Sequence, residues 1–345
     1  MQIPIENIYY LLCYAWKTLE EKDRVAVSID DRTNLLDLFA KILINSTRVL
    51  AKRGLDKSYV PLTEEFAGIK GKLELSATLK GHLHLRHRTI CSFDEFSADI
   101  LTNRILVSTL LRLLKTTNLD INLKRDIRGL LPVFSDVTPI APITPSMFSV
   151  IRLNRNNRFY GFVLKVCRLI IENIRPSESV GEWLFADFTR DENKMNKLFE
   201  KFIYNFYALE TDFNVRSENI RWMFSSPAEE NLRFLPKMIT DVTLESPEEK
   251  IIIDAKFYRE TLVTNYSQSK IRSGHLYQLF SYLMNQRSSD ARTQKARGLL
   301  LYPTVEENYD LDFTYGSHGI SIKTVNLNTN WRSIDRRLKE VAGVS

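Results

Sequence analysis

The stretch Ile251-Ile-Ile-Asp254-Ala-Lys256 determines how the fold of this 345-residue chain is interpreted. Three apolar residues in succession indicate a buried strand. Asp254 and Lys256 are two positions apart, so both side chains leave the same face of that strand. Because buried charges are unfavourable unless they are paired or bound to a metal, the stretch predicts a functional site at the end of a buried strand.

A second carboxylate, Asp241, lies near the end of the strand predicted over residues 233–244. The turn signal Ser246-Pro-Glu-Glu separates that strand from the one predicted over 250–258. A hairpin of these two strands would bring Asp241 close to Asp254. The pattern Asp-x-Lys occurs often by chance, mostly as a surface salt bridge. The prediction of a functional site therefore depends largely on the facing Asp241.

The residue types in this hairpin suit metal-dependent hydrolysis of a phosphodiester. Two carboxylates, Asp241 and Asp254, together with the backbone carbonyl of Ala255 form an oxygen site suited to Mg²⁺, with Mn²⁺ as a substitute. A cation held there screens a phosphate and acidifies a water molecule. Lys256 would orient the attacking water and stabilise the charge that develops on phosphorus.

The amphipathic helix predicted over residues 192–208 supplies a further catalytic candidate. Glu200 precedes the hairpin and would point at the metal. The alternative is an exposed glutamate paired with Lys197 or Lys201.

The helix predicted over residues 268–286 follows the hairpin and supplies another candidate. Gln278 and Tyr282 are four residues apart and share one helix face, from which they would bind the site or the DNA backbone. His275 lies one turn earlier and would face the DNA. The alternative is that Gln278 and Tyr282 are ordinary polar positions of a helix.

The rest of the pattern predicts a mixed α/β protein with two domains. The first part combines helices and strands and ends in a stretch with four prolines between Pro132 and Pro145. Proline stops helices, so we place a domain boundary near residue 148 and predict domains 1–148 and 149–345. Further predicted elements are helices over 5–16, 34–53, 97–116, 158–174 and 331–341, and strands within 58–96, over 298–302 and over 320–325.

Three histidines, His82, His84 and His87, lie within six residues. Their spacing would suit a metal ion, but no cysteine or carboxylate lies nearby in sequence. We interpret the segment as a strand whose histidines are solvated or hydrogen-bonded.

Composition places the chain among cytoplasmic proteins without a membrane partner. The net charge of +6 is spread over both halves, so a nucleic-acid surface would be a local patch formed by folding. Three dispersed cysteines argue for a reducing compartment and against a disulfide framework. The apolar run Ile8–Trp16 is too short to span a bilayer, and no secretory signal precedes it.

The order Glu200, Asp241, Asp254-Ala-Lys256, Gln278-x-x-x-Tyr282 resembles the PD-(D/E)xK nuclease superfamily, with Thr240 in the place of the proline. Several segments resemble the McrC family in order and spacing. These are Ile3-Pro-Ile-Glu-Asn-Ile-Tyr-Tyr-Leu-Leu-Cys-Tyr-Ala-Trp16, Gly71-Lys-Leu, Phe93-Asp-Glu-Phe-Ser-Ala-Asp99, Asn103-Arg104 and Leu198-Phe-Glu-Lys-Phe.

This resemblance implies the nuclease subunit of an McrBC modification-dependent restriction system. Its partner would be McrB, an AAA+ GTPase ring that recognises methylated cytosine in double-stranded DNA. The N-terminal α/β domain would dock on that ring, with loops around 76–98 as candidates, and stimulate GTP hydrolysis. The second domain would be a PD-(D/E)xK restriction-endonuclease-like core. The chain has no Gly-x-x-x-x-Gly-Lys-Ser/Thr loop of its own.

Two other functions remain open at this point. The chain could be an adaptor that mainly activates the GTPase ring, or a stand-alone repair nuclease with the same core.

Overall fold

The computed structural model describes residues 3–19, 34–177, 182–226, 228–258, 263–265, 268–270, 272–286, 290–306 and 308–344. In chain order, the helices are α1 (Ile5–Trp16), α2 (Leu35–Arg53), α3 (Leu75–Lys80), α4 (Leu101–Leu114), α5 (Ile121–Leu130), α6 (Pro145–Ser149), α7 (Arg158–Asn173), α8 (Glu192–Glu210), α9 (Ser273–Met284), α10 (Ala291–Gln294) and α11 (Trp331–Ala342). The strands are β1 (Ser58–Phe66), β2 (Lys72–Leu73), β3 (Thr89–Ser97), β4 (Ile174–Pro176), β5 (Trp183–Phe185), β6 (Asn214–Arg216), β7 (Asn219–Ile220), β8 (Met238–Ile239), β9 (Val242–Glu245), β10 (Lys250–Ala255), β11 (Val263–Asn265), β12 (Gln268–Lys270), β13 (Arg297–Thr304), β14 (Asp310–Tyr315) and β15 (His318–Asn326).

The chain forms two compact units, and the sequence of one unit interrupts the sequence of the other. The outer unit combines residues 1–22 with residues 187–345, and the inserted unit comprises residues 23–186. The mixed α/β class expected from the sequence is confirmed. The division of the chain differs from the boundary predicted near residue 148, which falls inside the inserted unit.

Contacts of α7 explain why the proline-rich stretch does not separate the units. Tyr160 on α7 donates a hydrogen bond to the side-chain oxygen of Asn103 at 2.7 Å, on the preceding side of the prolines. The amide of Asn157 binds the carboxylate of Asp56 at 2.9 Å. The helix after the prolines therefore belongs to the same core as the helices before them.

A six-stranded sheet in the order β14-β15-β13-β10-β9-β6 forms the centre of the outer unit. Strands β10, β13 and β15 are parallel, and β9 pairs with β10 in an antiparallel hairpin. Every residue of β10 is buried. The hairpin, helix and strand order predicted from the sequence is thus confirmed, and the carboxyl end of β10 lies at an edge where side chains of neighbouring elements meet.

Helix α9 covers β10 and β13 through a close approach at Gly298. A side chain at this position would meet Leu283 at 2.9 Å and Leu279 at 3.0 Å. The missing side chain lets the helix lie directly on the sheet.

Helix α1 packs within the outer unit, against α8 and α11. The ring of Tyr10 stacks on Trp331 with 4.5 Å between centroids, and Tyr14 contacts Phe202, Phe206 and Trp331. The Tyr14 hydroxyl also donates to Glu210 at 2.7 Å. The assignment of this aromatic segment to an N-terminal domain is therefore wrong: hydrophobic periodicity predicted the helix, but its partners lie far later in the chain, from Phe202 to Trp331.

The inserted unit combines the helices α2, α4, α5 and α7 with a three-stranded sheet in the order β1-β3-β2. The strand predicted through the histidine cluster is wrong. Residues Leu83–Arg86 form a short 3-10 helix between His82 and His87, which have left-handed φ angles of 52° and 56°. Leu85 is 71% exposed, so the alternating leucines have no buried face to cover.

Three further element predictions needed correction. The strand predicted over 233–244 is interrupted, because Glu229–Phe234 is a 3-10 helix and the rest is divided into β8, which pairs with β7, and β9, which pairs with β10. The helix predicted over 268–286 begins at Ser273, since residues 268–270 pair with β11. The sequence patterns did not predict strand β14. Among the described helices, none is both long and apolar enough to cross a membrane.

Candidate active site

Asp241, Asp254 and Lys256 meet at the carboxyl end of β10. The Lys256 ammonium lies 2.9 Å from the Oδ1 of Asp254 and 3.1 Å from the Oδ2 of Asp241. The same Asp241 oxygen accepts a hydrogen bond from the backbone N–H of Ala255 at 3.0 Å. The hairpin register positions Asp241 immediately before β9, beside the end of β10.

Asp254 is fully buried, and its environment opposes ionisation. Burial raises the pKa of its carboxyl to about 7, and the charges of Asp241 and Glu200 add to the rise, while Lys256 lowers it. Its Oδ2 is buried and finds no hydrogen-bond partner among the described residues. An ionised oxygen in such a place requires a positively charged or hydrogen-bonding partner.

Lys256 is also largely buried, with 12% of its side chain exposed. Burial lowers the pKa of its ammonium, but the carboxylates of Asp254 and Asp241 outweigh this effect and raise the pKa above its ordinary value. Lys256 therefore stays charged and bridges the two carboxylates.

Glu200 on α8 faces the same cluster and is half-buried. Burial and the charge of Asp241 raise the pKa of its carboxyl, and Lys256 lowers it. Glu200 accepts a hydrogen bond from the amide of Asn196 one turn earlier. Asn196 in turn accepts from the backbone N–H of Phe257 at 2.8 Å and so ties α8 to the chain just after Lys256.

Gln278 and Tyr282 share a helix face, as predicted, and bind each other. The Gln278 amide donates to the Tyr282 hydroxyl at 2.6 Å, and that hydroxyl donates to the backbone carbonyl of Ile239 at 2.9 Å. Tyr282 therefore fixes α9 to the segment that ends in Asp241. Gln278 is linked through Tyr282 only to the backbone of Ile239, and no direct bond from Gln278 to Asp241, Asp254 or Lys256 is found in the described part of the chain.

A second polar group lies beside Lys256. The ring nitrogen Nδ1 of His275 is 2.9 Å from the hydroxyl of Tyr302, and the His275 ring lies 5.0 Å from that of Tyr258. Burial lowers the pKa of His275 to about 4, with help from the charges of Lys256 and Arg272, so the ring is neutral near pH 7. The prediction that His275 faces the DNA is not tested by these contacts.

The donor set fits a hard divalent cation. Asp254 Oδ2 is an orphaned buried oxygen beside a second carboxylate, and such oxygens are the ligands that Mg²⁺ and Mn²⁺ prefer. Within the described ranges no three His, Cys, Asp or Glu side chains converge enough to hold a metal by themselves. The expected ligand set has only two acidic side chains, with the Ala255 carbonyl as a further ligand, and therefore does not require such a group of three.

Sequence reasoning missed Asn196, Tyr302 and Arg272. Asn196 is four residues before Glu200, and this helical spacing was the signal that could have found it. Tyr302 is the end of an apolar strand parallel to β10, and only the strand order brings it to the site. Arg272 lies outside any motif.

Known proteins resemble this chain over most of its length. Residues 6–303 match the model of the family of McrBC 5-methylcytosine restriction system components. The chain is 35% identical over 341 residues to the Type IV methyl-directed restriction enzyme EcoKMcrBC of Escherichia coli (strain K12), which covers 98% of this chain and 97% of that protein.

One solved structure has a similar fold. It is a refined half-complex of Thermococcus gammatolerans McrB AAA+ hexamers with bound McrC, matched with a TM-score of 0.56 and 17% identity over 98% of this chain and 76% of the other. At that identity the likeness concerns the fold alone.

Proposed function

We propose that this chain, which belongs to the family of McrBC 5-methylcytosine restriction system components, is the nuclease subunit of such a system. The family resemblance expected from the sequence is confirmed. The observation that carries the nuclease role is the convergence of Asp241, Asp254 and Lys256 at the end of a buried strand. The substrate is double-stranded DNA with modified cytosine, and the partner is an AAA+ GTPase ring of the McrB type.

The core around this site is assigned to the PD-(D/E)xK type. The order of the elements supports this assignment. A hairpin carries two carboxylates and a lysine, a helix with Gln278 and Tyr282 follows it, and a strand parallel to β10 comes next. Thr240 replaces the proline of the motif. Its hydroxyl lies 2.9 Å from that of Thr243 in the buried part of the turn.

Asp241 and Asp254, with the carbonyl of Ala255, would hold Mg²⁺ or Mn²⁺. A divalent cation there supplies charge neutralisation of the phosphate and a more acidic water. Lys256 donates hydrogen bonds towards the phosphate oxygens and stabilises the charge that develops on phosphorus. Glu200, held by Asn196, supports the positioning of water near the two carboxylates.

Cleavage is expected to require Mg²⁺ or Mn²⁺, and Ca²⁺ is expected to bind without supporting it. Carboxylate oxygens favour hard cations, and Ca²⁺ accepts looser geometry and more ligands than Mg²⁺. The measurement is nicking of methylated plasmid by the complex with its GTPase, with each metal in turn after chelation. Full activity in excess chelator would exclude this metal dependence.

Stabilisation of the fold by Mg²⁺ is expected to be larger at pH 8 than at pH 6. The pKa of Asp254 is raised to about 7, so at pH 6 a proton competes with the cation and at pH 8 it does not. The rise in melting temperature on adding Mg²⁺, measured at both pH values, checks this. The matched control is Asp254→Asn, for which the rise should be small and nearly independent of pH. Equal shifts for the unaltered protein at both pH values would contradict the expectation.

We assign docking on the GTPase ring and its stimulation to the inserted unit, residues 23–186. This unit contains none of the clustered residues Asp241, Asp254 and Lys256. Its sheet exposes large apolar side chains, with Tyr59 70% and Phe96 58% exposed. The two side chains face each other across β1 and β3. Paired exposed aromatics of this kind are typical of a protein-binding surface.

A fragment of residues 23–186 is expected to stimulate GTP turnover by the partner. It keeps α7, whose buried Tyr160 holds Asn103, whereas a fragment of residues 1–148 lacks α7 and carries α1 without its partners. GTP hydrolysis by the partner is measured with each fragment and with the full chain. A folded 23–186 fragment that neither binds nor stimulates, while the full chain does, would disprove the division.

A further inference from the structure

Arg272 lies beside the proposed active site, and no residue in the described part of the chain supplies it with a counter-ion. Its guanidinium lies 4.4 Å from the centroid of the Tyr258 ring. Its Nε is buried and has no hydrogen-bond partner, and no ion pair of Arg272 with an acidic side chain is found in the described part of the chain. A buried donor of this kind costs stability unless something else satisfies it.

Other buried cations of the outer unit are paired. Lys250, 3% exposed, lies 2.8 Å from Glu218, and Arg337 lies 2.9 Å from Asp310. Lys256 is held by two carboxylates. Among the residues that the structure describes, each of these cations has a carboxylate beside it, whereas Arg272 has none.

Arg272 belongs to the same neighbourhood as the catalytic lysine. Tyr258, on which it stacks, lies two residues after Lys256, and the Tyr258 ring contacts His275. His275 is bonded to Tyr302, and both side chains feel the charges of Lys256 and Arg272. The pKa of His275 is lowered to about 4, so near pH 7 the two positive charges that act on this ring are those of Lys256 and Arg272.

We propose that Arg272 binds a backbone phosphate of the DNA strand, adjacent to the phosphate that is cut, with Tyr258 fixing the plane of its guanidinium. A guanidinium presents a rigid fork of donors that matches phosphate oxygens. The phosphate would satisfy the donors of Arg272 and supply its missing counter-ion. This inference rests on the proposed nuclease function, and it adds a substrate-positioning residue outside the three clustered residues.

The test compares Arg272→Met with the unaltered chain in the complete complex. Binding to a methylated duplex is measured in Ca²⁺ at several salt concentrations, and KM and kcat are measured in Mg²⁺. Loss of one phosphate contact is expected to weaken binding about tenfold and to lower the slope of log affinity against log salt by about 1. KM should rise more than kcat falls. Arg272→Lys keeps the charge and should keep the slope with intermediate affinity.

The control is Arg336→Met, which removes an equal charge from an exposed position on α11 and should leave the salt slope unchanged. Unchanged affinity and slope for Arg272→Met, while the unaltered complex binds and cuts DNA, would overturn the inference. Weaker binding with an unchanged slope would do the same, since it indicates a structural role. If Arg272→Met fails to fold, Arg272→Gln decides by the same slope criterion. Failure of the unaltered complex to bind or cut DNA would instead overturn the proposed function.

Discussion

Asp254→Asn is expected to lower the rate of DNA cleavage roughly 10²–10³-fold or more. The variants Asp241→Asn and Lys256→Met are expected to do the same. Each change removes either a carboxylate that would hold the cation or the ammonium that bridges both carboxylates at 2.9 and 3.1 Å. Because the three groups act as one unit, single changes should be nearly as damaging as combined ones. Plasmid nicking with Mg²⁺ and the GTPase partner measures the loss.

The loss should not come from unfolding. In the folded state the pKa of Asp254 is raised, so its protonated form is favoured below about pH 7 and its ionised form costs stability above that pH. Asparagine has no charge to bury, and Asp254→Asn should therefore melt at the same temperature as the unaltered chain or higher at pH 8. Asp212→Asn, an exposed acid of the same unit, is the matched control and should cut normally.

These variants also separate the proposed function from its alternatives. An adaptor that only activates the GTPase would retain full biological activity with Asp254→Asn. A stand-alone nuclease would cut DNA without any GTPase. Normal cutting by Asp254→Asn would disprove the assignment of this site.

Tyr14→Ala is expected to destabilise the outer unit by about 3–5 kcal/mol, the usual cost of removing a large buried aromatic side chain. Tyr14 is 4% exposed and contacts Phe202, Phe206 and Trp331. The change also removes the hydroxyl that donates a hydrogen bond to Glu210. Thermal unfolding, followed separately for the two units, measures the effect.

Tyr59→Ala is the matched control, since Tyr59 is 70% exposed on the inserted unit and its loss should change stability little. Cleavage by Tyr14→Ala should fall as the temperature rises, because α8 carries both Glu200 and the contacts of Tyr14. If only the unfolding of residues 23–186 were affected, the placement of α1 in the outer unit would be wrong.

Local patterns predicted that Asp241, Asp254 and Lys256 lie close together, because this clustering depends on a hairpin encoded at short range. The buried run before Asp254 and the turn before Lys250 specify a hairpin, and the hairpin positions Asp241. The spacing of Gln278 and Tyr282 likewise predicted their shared face. Arg272 could not be found in this way, since its significance lies in its packing on Tyr258 and in a buried Nε that no described neighbour binds.

The order of the units could not be predicted for a related reason. Periodicity shows that α1 has an apolar face but not which helix covers it. The partners of Tyr14 include Phe202, in the middle of the chain, and Trp331, near its end. The prolines before residue 148 indicated a boundary only because proline stops helices in any context.

The packing of α1 on α8 and α11 has a consequence for biosynthesis. On the ribosome, α1 is translated before the side chains that cover it, which belong to residues 192–210 and 331–342. The inserted unit can fold while the nascent chain grows, whereas α1 stays partly uncovered until α11 has left the exit tunnel. A product that terminates before α11 would therefore expose the rings of Tyr10 and Tyr14, on which Trp331 stacks in the complete outer unit.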